Sequence, residues 1–151
     1  MTAEELLERY AAGERDFSGA DLEGIKLRNV DLRGINFSGA NLGNTELVNV
    51  DLSGVNMSGA SFLGEWTGPS NLSGTNLAGA DLSGADLCGA NLTSADLTRA
   101  DLTDTFVIGA NFTNATLKDS IFKFTRANSA LFQNTVFPEG HVVVGPYMYS
   151  G

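Results

Sequence analysis

Hydrophobic residues recur along this chain at every fifth position. From Phe17 the step runs through Leu22, Leu27, Leu32 and Phe37 to Phe132 and Phe137, and each centre is Leu, Phe or Met except Thr67, Val107 and Ala127. Two residues before each centre lies a second restricted column, Ala20, Ile25, Val30, Ile35 and Ala40 through Ala130 and Thr135, small or β-branched everywhere but Arg15 and Glu65. The position just before the centre is commonly Asp or Asn, as in Asp21, Asn41, Asp81, Asn91 and Asp101. A period of five matches neither the 3.6 of a helix nor the 2 of a strand, so the chain must turn after each five-residue step. Both restricted columns then point inward and the other three positions outward. Four right-angle corners close a coil of about 20 residues, and such coils stack as parallel rungs about 4.8 Å apart. The second column is small because so narrow an interior has no room for two large residues on each side.

The corners carry their own chemistry. Two residues after each centre stands Gly or Asn in most steps, including Gly19, Gly24, Asn29, Gly34, Gly39, Asn44 and Asn49. A type II turn needs positive φ at its third residue, which Gly and Asn tolerate. At Ser94, Arg99 and Asp104 the preference lapses, which predicts type I-like corners over 94–104.

The run GADLSGADLCGANLTSADLTRADL (79–102) resembles the pentapeptide-repeat family, whose motif is A(D/N)LXX, and the likeness extends over about 15–139. The resemblance implies an all-β fold, a right-handed quadrilateral parallel β-helix, here of about six coils. It implies little about activity: many members are small stand-alone proteins, abundant in cyanobacteria, with no assigned activity, and a minority protect topoisomerases by resembling DNA in shape and charge.

The ends leave the repeat. Residues 1–14 read as a short capping helix: Thr2 can cap it, Glu5 completes a capping box, Leu6, Leu7, Tyr10 and Ala11 share a side, and Gly13 ends it. An open solenoid end exposes unpaired rungs, so the helix is expected to cover the first coil. Residues 140–151 include Val142, Val143, Val144, Tyr147, Met148 and Tyr149, and are expected to cap the last coil or pair with another copy, giving a monomer or an end-to-end homodimer. Between 63 and 70 both inward columns fail together, at Glu65 and Thr67, and burying Glu65 unpaired would be costly. A bulge with an external loop at Gly68–Pro69 is predicted there, the core remaining in phase.

With 20 residues to a coil, residues 20 apart stack into columns. All three irregular centres fall on the side that carries Leu27, Leu47 and Leu87, and the outward positions of that side include Val48, Trp66, Phe106 and Ile108. This is the candidate face for contact with a protein partner; the alternative is that Trp66 and Phe106 fold back as a local satellite core. A neighbouring side is acidic, with Asp21, Glu23, Asp81 and Asp101 and, at a corner, Asp104, interrupted by Asn41 and Ser61. Carboxylates in rows at phosphate spacing would mimic DNA, although Asp before the centre is ordinary repeat chemistry.

Composition narrows the function. The 151 residues carry 9 Lys and Arg against 18 Asp and Glu, a net charge of -9 that argues against direct nucleic-acid binding and against an anionic membrane surface. Cys88 is the single cysteine, on an outward position that reads as a plain surface thiol. His141 is the single histidine and lies outside the repeat, so no zinc site or histidine-based nucleophile is expected. No GxGxxG or Walker lysine motif appears among the glycines, and no metal or cofactor is expected. The first twenty residues lack a basic segment followed by an apolar one, which makes the cytoplasm the expected compartment. The reading is a non-enzymatic scaffold that binds an unidentified protein; the alternative is a DNA-mimicking modulator of DNA gyrase or topoisomerase.

Overall fold

The computed structural model describes residues 1–62, 70–123, 125–144 and, for the backbone alone, 147–148. Its repeating unit is a parallel pairing of the residue before a centre with the one twenty positions later: Asp16 with Asn36, Asp21 with Asn41, Asp31 with Asp51, and so on to Thr116 with Val136. Most rungs are single bridges. Longer pairing occurs where β1 (Lys26–Arg28) lies parallel to β2 (Glu46–Val48), with Leu27 opposite Leu47.

Each rung is held in the same way. The N–H of a centre donates to the next coil, and the residue before the centre there donates back, as when Leu82 donates to Asp101 at 2.8 Å and Asp101 to Ala80 at 3.0 Å. The corner amide adds a third bond, Gly84 to Thr103 at 2.9 Å. Backbone polar groups are thereby satisfied between coils while the side chains alternate in and out. Both restricted columns form one continuous core, from Phe17 and Leu22 to Phe132, with the alanines of the second column buried between the large centres. Phe112 and Phe132, one coil apart, stack with ring centroids 5.0 Å apart.

The predicted break keeps its phase. Asp51 pairs with Asn71 and Ser61 with Asp81, so two five-residue steps separate 61 from 71, as elsewhere. The bulge itself, with Glu65, Trp66 and Thr67, lies outside the described residues.

The corners correct one expectation. Ser94, Arg99 and Asp104 have φ of 59, 61 and 57°, and Ala95, Ala100 and Thr105 close the turns on Leu92, Leu97 and Leu102 at 3.1, 3.0 and 3.2 Å. These are left-handed third positions like those at Gly79 and Gly84, not type I corners. The corner amides of Ser94, Arg99 and Asp104 donate to the next coil at 2.8–3.0 Å, so the stack imposes the conformation whatever the side chain.

At the N-terminal end, α1 (Ala3–Ala11) begins with a reciprocal capping box between Thr2 and Glu5. Leu6 is buried in the same core as Phe17, the Tyr10 hydroxyl donates to the Arg33 carbonyl at 2.8 Å, and the Arg9 guanidinium lies over Phe17 at 5.0 Å from the ring centroid. Arg15, which breaks the inward column, turns out and donates to the Tyr10 carbonyl in the last helical turn at 2.7 Å. At the other end, β3 (Leu131–Phe132) and β4 (Thr135–Val136) each receive a returning strand: β5 (Val142–Val143) pairs antiparallel with β4, and β6 (Tyr147–Met148) with β3. The tail thus pairs with the last coil of its own chain. None of the described helices is long and apolar enough to cross a membrane.

Candidate functional site

The residue before each centre serves the structure before it serves any surface. Its side-chain oxygen accepts from the amide two residues on, as Asp51 does from Ser53 at 3.0 Å and Asp96 from Thr98 at 2.9 Å. Several asparagines at the position also donate downward, Asn56 to Asn36 at 3.2 Å and Asn91 to Asn71 at 3.2 Å. This explains the Asp/Asn preference physically: an Asx turn opens each corner and an amide ladder ties successive coils.

The side centred on Leu27, Leu47, Leu87, Val107 and Ala127 brings several of the candidate contact residues together. Val48 closes β2 and is half-buried. Phe106 bridges Asp86 below and Arg126 above, and the Arg126 guanidinium covers its ring at 4.6 Å. Ile108, two residues on, is 42% exposed. Trp66 lies outside the described residues. Phe106 is therefore half-covered by a cation from its own chain, a contact the twenty-residue spacing could have disclosed. Toward the N-terminal end Glu46 takes both Lys26, at 3.5 Å, and Arg28. Cys88 stands in the outward column between Val48 and Ile108 and is half-buried, not a plain surface thiol. Burial, reinforced by Asp86, pushes its pKa up to about 11, so it is a poor nucleophile near neutrality.

On the acidic side the five carboxylates do not form one row. Asp81 pairs with Asp101 on the adjacent coil, whereas Asp21 is separated from them by Asn41 and Ser61. These three are also engaged in turns: Asp21 accepts from Glu23 N–H at 3.3 Å and Asn41 at 3.1 Å, Asp81 from the Ser83 amide and hydroxyl at 3.1 and 2.6 Å, and Asp101 from Thr103 at 2.9 Å. Glu23 and Asp104 are exposed, Asp104 at a corner. Among the described residues no group of three or more His, Cys, Asp or Glu is placed to hold a metal ion. His141 stacks on Phe137 at 5.3 Å, in the turn that reverses the chain.

A family model for pentapeptide repeats matches in 8 copies, over residues 16–54, 35–64, 70–106 and 95–134, well over half of the chain. No curated protein sequence matches. Among solved structures, the pentapeptide-repeat protein Rfr23 from the cyanobacterium Cyanothece 51142 is 28% identical over 89% of this chain and 98% of its own, with a TM-score of 0.43. The pentapeptide-repeat protein alr5209 from Nostoc Pcc 7120 is 36% identical over 76% of this chain and 80% of its own, with a TM-score of 0.31. QnrB1, a plasmid-mediated fluoroquinolone resistance protein, is 24% identical in a trypsin-treated form over 81% of this chain and 67% of its own, with a TM-score of 0.43. The matched repeats coincide with the twenty-residue register and its two inward columns, and the chain belongs to the pentapeptide-repeat family, with a fold of the right-handed β-helix type.

Proposed function

We propose that this chain is a non-enzymatic, cytoplasmic scaffold, a four-sided tube of about six coils that binds a protein partner through the side bearing Val48, Phe106 and Ile108. The observation that carries the reading is Ile108, 42% exposed beside a Phe106 ring held under Arg126. A rigid ladder presents these groups without ordering cost, and aromatic and aliphatic side chains framed by charge are the usual anchors of protein interfaces. Trp66, on the same side by its position in the sequence, belongs to the proposed surface. The helix and the tail serve as end caps.

A DNA-mimicking role toward gyrase is less well supported. Neutral Asn41 and Ser61 interrupt its row of carboxylates, and Asp81 and Asp101 double as turn acceptors. The two readings separate in direct assays. Affinity capture followed by reconstitution with the purified partner compares wild type with a Phe106→Ser, Ile108→Ser pair; the expected result is loss of binding with the tube intact by circular dichroism. A partner retained equally by both proteins would remove this side from consideration. Inhibition or protection of gyrase supercoiling by the purified protein would favour the mimic instead.

A further inference from the structure

The described residues of the tail close the last coil on two sides only. On two sides it supplies antiparallel partners, to Leu131–Phe132 and to Thr135–Val136. After Phe137 it reverses, with Gly140 donating to Phe137 at 2.8 Å and Phe137 to His141 at 2.9 Å, and among the described residues none pairs with Ile121 or Phe122 from above. One coil below, that position is filled: Ile121 donates to Ala100 at 2.9 Å and accepts from Leu102 at 2.8 Å. The matching groups of the last coil are the Ser120 carbonyl and the Phe122 N–H, and among the described residues neither has a partner.

The side chains there agree. Leu22, Leu42, Phe62, Leu82 and Leu102, the lower members of the column, are 0–1% exposed, whereas Phe122 is only half-buried. Ile121 is 44% exposed, on a position that is Asp21, Asn41, Ser61, Asp81 and Asp101 in the coils below. Lys123 follows on a position that is Glu23, Gly43, Leu63, Ser83 and Thr103 earlier in the sequence. A recess lined by Ser120, Ile121, Phe122, Lys123, Pro138 and Glu139 opens at this point, and the Ser120 hydroxyl is buried without a hydrogen-bond partner. On the far wall Glu139 lies 3.8 Å from His141.

The geometry points to a docking edge that accepts an extended segment of a partner protein with the order apolar, apolar, acidic. The first residue donates its N–H to the Ser120 carbonyl, accepts from the Phe122 N–H, and lays its side chain outward on Ile121. The second points inward onto the Phe122 ring, and the third meets Lys123. This is strand addition to an open edge, with main-chain bonds giving attachment and the side chains selectivity. The site lies at one end of the tube, apart from the side proposed above.

The test uses the full chain and a fluorescent, end-blocked pentapeptide, Thr-Val-Leu-Glu-Thr. Titration into isotope-labelled protein is expected to move the Phe122 amide resonance most. Methylating the valine nitrogen of the peptide, which removes its donor and leaves the protein untouched, is expected to weaken binding at least tenfold, as is Ile121→Lys. Lys123→Glu is expected to reverse preference toward Thr-Val-Leu-Lys-Thr. No displacement of Phe122 at millimolar peptide, equal binding of the methylated peptide, or light scattering that finds the edge filled by a second copy would each overturn the assignment.

Discussion

Thr105 Oγ1 donates to the carbonyl oxygen of Leu82 at 2.8 Å, across twenty-three residues of sequence and one coil of structure. Thr125 to Leu102 and Thr135 to Phe112, both at 2.7 Å, repeat the arrangement. A hydroxyl in an otherwise aliphatic column is thus tolerated because a carbonyl accepts from it, that of the neighbouring coil here and that of its own turn at Thr45 and Thr75. Ser120 is in the same column and buried, without such a bond. Thr105→Val is expected to lower unfolding free energy by about 1–2 kcal/mol, whereas Ser120→Ala is expected to be neutral or mildly stabilising. Urea denaturation of the two variants beside wild type checks the contrast.

The ladder of centres dominates stability. Leu92 is fully buried between Leu72 and Phe112. Leu92→Ala leaves a cavity that coils fixed by backbone bonds cannot collapse to fill, and is expected to cost about 2–5 kcal/mol. Loss of the cooperative transition, or a midpoint shift of that size in denaturant, is the measurement; a change below about 1 kcal/mol would contradict the packing.

Left-handed corners make a prediction of opposite sign. Arg99, exposed and at φ 61°, carries strain that glycine would relieve, while Gly84, at φ 68°, already avoids it. Arg99→Gly is expected to raise stability by up to about 1 kcal/mol, the relief exceeding the entropic cost of glycine, and Gly84→Ala to lower it by about 1–2 kcal/mol. Thermal melts of the two single variants distinguish the directions.

The surface pair of Asp31 and Arg33 sets an acid response. The guanidinium donates to Asp31 at 2.6–3.0 Å and holds its carboxyl down to about 2. A lowered carboxyl pKa contributes stability above the ordinary aspartate value, about 3.9, and loses it as pH falls toward 2. Because the pair is exposed the effect on folding is small, but carbon-detected titration is expected to find Asp31 ionised at about pH 3, and Arg33→Ala to return its midpoint toward the ordinary value.

The core is legible in the sequence because a period of five admits one solution: the two restricted columns are the buried ones, and Arg15 stands out as an exception whose escape to the helix end only the structure displays. The corner at Arg99 misleads because residue preference is not necessity, and the inter-coil bond to Lys118 fixes the backbone there. Of the proposed contact side, Val48, Phe106 and Ile108 are legible as outward and apolar, but Arg126 over Phe106 emerges only when the register is read one coil further. The edge at Ser120 and Phe122 is not legible, since it depends on where the tail reverses, and the apolar run 142–149 fits several paths.

The invariant spacing between bonded residues also governs how such a chain can change its length. Loss of a single step of five would swing everything beyond it through a quarter turn, carrying Ile108 and Arg126 onto the neighbouring wall. Removal of a whole circuit would shorten the rod and leave every stripe straight, so growth or trimming that preserves a working surface proceeds in full revolutions.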